Sequence, residues 1–244
     1  MIEKTHNIPT PDGEMETFTA CPDGDGPFPV VVLYMDAPGI RGELYDFGRR
    51  IAGEGYYALV PDLYYRRGRV RLDMTRPGAR KLMYSHMDSL SNAAVAADSE
   101  AIFEFLASEP NAAPGPKGCI GHCMSGQFIA TLAGSFPDDF RASVSCYGVR
   151  IVTDEPDSPH KLLARARGEI FFAFAETDDH VPDATIQVLR ETLEGASVES
   201  VVKIYPNTEH GFCFPERKQV YAATAAEDVW RRTFEIFERQ LRQS

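Results

Sequence analysis

Two cysteines, a histidine, a serine and three glycines stand within GCIGHCMSGQ, Gly118 to Gln127. Three chemistries use such residues: a metal held by thiolates and imidazole, a thiol redox pair, and a nucleophile presented on a sharp turn. A strand, strained turn and helix can lift a nucleophile above a sheet, provided the residues two before and two after it are small enough for close backbone approach. Cys123 meets that requirement with Gly121 and Ser125; Ser125 would instead be flanked by Cys123 and Gln127, and glutamine is too large. A helix N-terminus also favours thiolate, because unpaired N–H groups and the helix dipole stabilise negative charge. A metal site built from Cys119, His122 and Cys123 would need three side chains converging from a strand and a tight turn, with a fourth ligand from elsewhere. Cys119 and Cys123 are spaced CxxxC rather than the redox CxxC. We therefore expect no metal and no redox pair at this segment, with Cys119 and Cys146 as core residues and Cys21 and Cys213 incidental.

A cysteine nucleophile needs a base, and the base needs an acid to orient it and stabilise its cation. Among six histidines, His122 should point away across the turn, His6 and His160 lie in loop-like surroundings, and His86 falls in a helical stretch. His180 belongs to an acidic loop and competes less well. His210 follows the strand-like VVKIYP and sits in the short loop NTEHGF, where Gly211 permits a sharp path. The loop AETDDHVP sets Asp178 and Asp179 just beyond EIFFAFA. Asp178 is preferred over Asp179, although periodicity does not decide between neighbours. The order nucleophile, acid, histidine is that of α/β-hydrolases.

These residues need elements that end at one place. PVVVLYM (Pro29 to Met35) is an apolar run without polar alternation, as suits a strand buried on both faces of a parallel sheet. Glu43 to Tyr56 spaces Leu44, Phe47 and Ile51 on one helical face and closes on Gly53 and Gly55. YALVPDLY reads as a strand stopped by Pro61, Tyr64 to Arg80 as a basic irregular excursion, and roughly Lys81 to Ser108 as one long helix with Leu82, Ile102, Phe105 and Leu106 as apolar points. PGPKGCIGHC, ASVSCYG, EIFFAFA and SVESVVKIYP then read as strands. Helices SGQFIATLAGSF and TIQVLRETLEG lie between them, and AATAAEDVWRRTFEIFERQL closes the chain. Strands alternating with helices imply an α/β fold with a mainly parallel sheet covered on both faces, and ligands at the carboxyl ends of the strands. With no linker or repeat, residues 1–244 are expected to form a single domain.

Composition narrows the partners. At 43% hydrophobic and 25% charged the chain is an ordinary globular sequence, and a net charge of -11 disfavours nucleic acid. No apolar run reaches bilayer-spanning length and the first residues lack a signal-like apolar core, so we expect a cytoplasmic protein with no membrane partner. Five cysteines in a chain of this size fit reduced thiols. No phosphate-cradling glycine motif is present, and no cofactor is expected. Arg66, Arg67, Arg69 and Arg71 read as a solvated face, with steering of anionic substrates as a weaker reading.

The sequence resembles the dienelactone hydrolase family, cysteine-nucleophile members of the α/β-hydrolase superfamily. VVVLYMDAPGIRGELYDFGRRIAGEGYYALVPDLYYR is similar to the family's first strand, oxyanion loop, helix and PDLY strand end, and GHCMSG to its Gly-x-Cys-x-Gly elbow, with Ser125 in place of the last glycine. AETDDHVP resembles the acid loop, whose Asp-x-x-Val-Pro spacing picks Asp178, and EHGF supplies His210. The resemblance implies that Cys123 attacks an acyl carbon, His210 shuttles the proton and Asp178 holds His210. It further implies that the backbone N–H groups of Met124 and Ala37 meet the oxyanion, and that Asp36 stands where the family has a glutamate partner for the resting thiol. One family arginine that binds substrate carboxylate falls at Phe214, with Arg217 near but not equivalent; the other is represented by Arg80 or Arg76. The implied activity is hydrolysis of a small, anionic ester or lactone. A generalist carboxylesterase or thioesterase, and a noncatalytic binding module of the same fold, are the alternatives.

Overall fold

The computed structural model describes residues 1–242. The chain divides into two compact units, Met1–Gly115 and Pro116–Ser244.

The first unit contains β1 (Ile2–Thr10), β2 (Gly13–Cys21), β3 (Val30–Tyr34), α1 (Gly42–Gly53), β4 (Tyr57–Pro61), α2 (Ala79–Met87) and α3 (Asn92–Leu106). Within it the strand order is β1-β2-β4-β3. Strand β1 is antiparallel to β2 and β2 to β4, while β3 runs parallel to β4. All residues of β3 and β4 are buried, as expected of strands without polar alternation. Helix α1 buries Leu44, Phe47 and Ile51, the face expected from their spacing. The β1–β2 hairpin carries no such signal, because β1 is mostly exposed and its side chains are largely polar.

The single helix expected from Lys81 to Ser108 is instead two, α2 and α3. Ser91 takes an extended conformation and its hydroxyl accepts from the Ala94 N–H at 3.1 Å, a capping bond that starts α3. Leu82, expected as an apolar anchor, is exposed. The arginine run is not a free solvated face either. Arg66 donates to both oxygens of the fully buried Asp98 at 2.8 and 2.9 Å and to Asp12, and Arg71 pairs with Asp62 and Glu16. These partners neutralise much of the positive potential the sequence suggested.

The second unit is built from β5 (Lys117–His122), α4 (Gly126–Ser135), β6 (Phe140–Cys146), β7 (Glu169–Thr177), α5 (Asp183–Glu194), β8 (Glu199–Glu209) and α6 (Ala223–Phe237). Its strands run parallel in the order β5-β6-β7-β8. Helix α4 packs on β5 and β6, and α6 on β6 and β7. Gly118 permits the close approach of the carboxyl-terminal helix, since a Cβ there would lie 2.9 Å from the Phe237 ring. The fold class is α/β with mainly parallel pairing, and no helix among the described residues is long and apolar enough to cross a membrane.

Candidate active site

The segment between β5 and α4 is a tight turn of one 3-10 helical turn, Cys123–Ser125. Cys123 has φ 52°, in the left-handed region, which costs a non-glycine residue on the order of 1–2 kcal/mol. Surrounding contacts hold it there: its carbonyl accepts from the Val149 N–H at 2.9 Å. The spacing rule has a direct geometric basis, because a Cβ on Gly121 would fall 2.7 Å from Ser125 Cβ. With a Cβ on Ser125, Gly121 has no room for one, and Ile129 Cγ1 would crowd the same place at 3.0 Å. A second close approach was not legible in the spacing. A Cβ on Gly126 would lie 2.1 Å from Gly148 Cα, so the first residue of α4 rests directly on the backbone after β6. Of the five cysteines, Cys21, Cys119, Cys146 and Cys213 are buried, whereas Cys123 is partly accessible, as a nucleophile must be.

Strand register brings the acid and the histidine together. In the β7/β8 pair Thr177 lies opposite Glu209, so the next residues of the two chains, Asp178 and His210, meet beyond the strand ends. His210 Nδ1 lies 2.7 Å from Asp178 Oδ2, and the His180 N–H donates to Oδ1 at 2.9 Å. The Asp178 side chain is 3% exposed and that of His210 15%. Asp179 is exposed. The Tyr147 ring stands edge-on to His210 at 5.0 Å, and the His180 ring at 4.8 Å. His180, set aside as a base, thus serves the site through its backbone, which no spacing rule announces.

With Nδ1 donating to Asp178, the other ring nitrogen, Nε2, is the one left to exchange a proton. Nε2 is buried and has no hydrogen-bond partner among the described residues. Burial pulls the His210 pKa down, but the Asp178 hydrogen bond and the nearby Cys123 outweigh it and raise the value to about 9. Cys123 therefore acts on His210 through a loose hydrogen bond and through charge, although Nε2 makes no bond of normal geometry; such contacts are commonly loose before substrate binds. At neutral pH an imidazole of this kind holds its proton, so the arrangement can deliver a proton beside Cys123.

The other expected site residues are placed as follows. Met124 is fully buried in the turn leading into α4. Ala37 follows β3 and its carbonyl accepts from the Tyr64 hydroxyl at 2.8 Å. Asp36 is fully buried, with both carboxylate oxygens taken by Arg41 at 2.5 and 3.2 Å, a partner the sequence reading missed. Arg80, on the first turn of α2, is exposed. Arg76 is also exposed and pairs with Asp73. The Arg217 guanidinium lies over the Phe214 ring, 4.4 Å from its centroid.

Residues 15–241 match the model of the dienelactone hydrolase family. A protein of Synechocystis sp. named "Putative carboxymethylenebutenolidase" is 28% identical over 238 residues, covering 96% of each chain. A protein of the same name from Methylorubrum extorquens is 28% identical over 234 residues, 94% of this chain and 78% of that one. Among solved structures, a Klebsiella pneumoniae protein described as "Putative Dienelactone Hydrolase" superposes with a TM-score of 0.84 at 25% identity, over 97% of this chain and 98% of the other.

Proposed function

The chain belongs to the dienelactone hydrolase family, and from that premise we propose that it hydrolyses ester or lactone bonds of small carboxylic substrates through an acyl-cysteine intermediate. The observation that carries this reading is the buried Asp178–His210 pair, bonded at 2.7 Å, acting on a cysteine held in a strained left-handed turn. Cys123 thiolate attacks the acyl carbon, forming the C–S bond, and the carbonyl becomes an oxyanion. The Met124 N–H, which precedes α4, is one donor to that charge; the second, Ala37, is assigned on sequence similarity alone. As the tetrahedral adduct collapses, the acyl–oxygen bond breaks and His210 gives its proton to the departing alkoxide. Neutral His210 then takes a proton from water, whose oxygen attacks the acyl-cysteine. Collapse of this second adduct releases the acid and the thiolate, and His210 retains the proton for the next cycle. Asp178 keeps Nδ1 protonated throughout, so that Nε2 is the atom that exchanges protons.

Preference for an anionic substrate is the finer part of the reading. One of the two carboxylate-binding arginine positions of the family is occupied by Phe214 in this chain, and Arg217, whose guanidinium lies over that ring, is near but not equivalent. The other arginine position is represented, on sequence similarity, by Arg80 or Arg76, both exposed. The relatives' name, carboxymethylenebutenolidase, supports a lactone bearing a carboxylate.

The test is a panel of aryl esters, thioesters and lactones, each with and without a carboxylate, given to wild type and Cys123→Ala. Turnover by wild type, loss of at least a thousandfold in Cys123→Ala and an acyl adduct on the Cys123 peptide by mass spectrometry are expected. Equal turnover by the two proteins overturns the nucleophile assignment. Absence of turnover alongside measurable ligand binding favours a noncatalytic module, and indifference to the carboxylate favours a generalist esterase.

A further inference from the structure

We propose that His122, Cys146 and Cys213 form a buried site for one thiophilic divalent cation of the zinc class. The three residues come from separate segments of the second unit. His122 ends β5, Cys146 ends β6 directly beside it in the parallel register, and Cys213 lies three residues beyond His210 in the loop after β8. Their ligand atoms all lie within 4.8 Å of one another, and all three residues are buried. The Tyr147 and Phe214 rings flank the imidazole at 5.7 and 5.0 Å, walling the group with aromatic surface.

The donor set matches the ion. Zinc–sulfur bonds of about 2.3 Å and zinc–nitrogen bonds of about 2.0 Å put tetrahedral ligand atoms roughly 3.5–3.8 Å apart, so the cluster closes on an ion with side-chain shifts of about 1 Å. Two thiols and an imidazole select a borderline-soft cation over magnesium or calcium. Binding displaces two thiol protons to solvent, and no electron moves. The resulting two thiolates cancel the dication, so the buried complex carries no net charge, which is the condition for placing an ion in an apolar interior. Three protein ligands leave one coordination position for an exogenous donor.

The neighbouring thiols do not enter the set. Cys119, which the sequence had offered as a ligand with His122, donates to Ser143 Oγ at 3.4 Å. Cys123 acts on His210 instead. The second unit thus has two sulfur centres, an accessible one with chemistry at a single thiol and a buried one with two thiols and a histidine.

The experiment uses the full chain, stripped of metal and kept under a phosphine reductant, titrated with Cd(II) and with Zn(II). One tightly held equivalent is expected, with a sulfur-to-cadmium charge-transfer band that persists in Cys123→Ser and in Cys119→Ala. In Cys146→Ala and Cys213→Ala affinity should fall at least tenfold. X-ray absorption at the zinc edge of the loaded Cys123→Ser protein should show two sulfur neighbours and at least one nitrogen. This measurement decides the matter even if the cluster variants do not fold. No bound equivalent, a shell with fewer than two sulfurs, or a band that disappears with Cys123 would overturn the proposal.

Discussion

Replacing Asp178 by asparagine is the most discriminating perturbation of the proposed triad. The substitution keeps size but removes the charge, and it sets an amide against two donors, the His210 Nδ1–H at 2.7 Å and the His180 N–H at 2.9 Å. The new side chain has one acceptor oxygen for both. If the His180 N–H keeps it, the amide nitrogen faces Nδ1 and favours the tautomer with the proton on Nε2, which cannot accept from a thiol. The electrostatic part follows from the raised pKa. His210 stands at about 9 against an ordinary 6.5, and at about 1.4 kcal/mol per unit the whole shift corresponds to about 3 kcal/mol. Cys123 supplies part of that, so losing the carboxylate costs roughly 1–3 kcal/mol, or about ten- to a hundredfold in the protonation equilibrium of His210. The tautomer error adds to this, and kcat/KM should fall between about a hundredfold and ten-thousandfold. Steady-state hydrolysis of an aryl ester gives the rate, and proton NMR of the downfield Nδ1–H gives the tautomer. Asp179→Asn, at an exposed position, should stay within about threefold of wild type. Equal losses in the two variants, or an Asp178→Asn enzyme retaining more than a third of wild-type kcat/KM, would refute the reasoning.

Two further outcomes follow from the same geometry. Gly126→Ala drives a Cβ to 2.1 Å from Gly148 Cα, a backbone clash without a flexible side chain to yield, and should lower unfolding free energy by about 2 kcal/mol or more in urea titrations; Gly53→Ala, with open space at its Cβ, should cost nothing measurable. Because folding raises the His210 pKa, its ionisation stabilises the native state fully below pH about 6.5, and this contribution is lost as pH rises through about 9. The stability difference between wild type and His210→Asn should therefore shrink by about 1–3 kcal/mol between pH 6.5 and 9.5, and a constant difference across that range would contradict the raised pKa.

The parts of the molecule legible in the sequence are those where burial is local and one-sided in its demands. Strand β3 reads as a strand because every residue in it is buried, and α1 reads as a helix because Leu44, Phe47 and Ile51 fall on its buried face. The β1–β2 hairpin was not legible, since exposed β1 residues tolerate any polar side chain and leave no pattern. The division of residues 81–108 into α2 and α3 turns on one capping serine, whose hydroxyl outweighs the continuing helical composition around it.

The site divides along the same line. The elbow is a local object, and the demand for a small residue at Gly121 or Ser125 is written within five positions of the chain. The contact between Asp178 and His210 depends instead on how β7 and β8 align at Thr177 and Glu209, with a register shift just before it. A slip of one residue there would offer Asp179 in place of Asp178, which is why periodicity left the neighbours open. Arg41 on Asp36 and the His180 N–H on Asp178 are short-range contacts, yet each needs a particular loop path rather than a particular spacing. The grouping of His122, Cys146 and Cys213 lies furthest from the reach of spacing rules. Within GCIGHCMSGQ, His122 looks like a companion of Cys119 or Cys123, and only the alignment of β5 on β6 turns it toward Cys146. Residue types that are chemically suggestive in one window of sequence thus acquire partners from another, and strand register, which the sequence encodes only through whole-sheet packing, decides which chemistry they share.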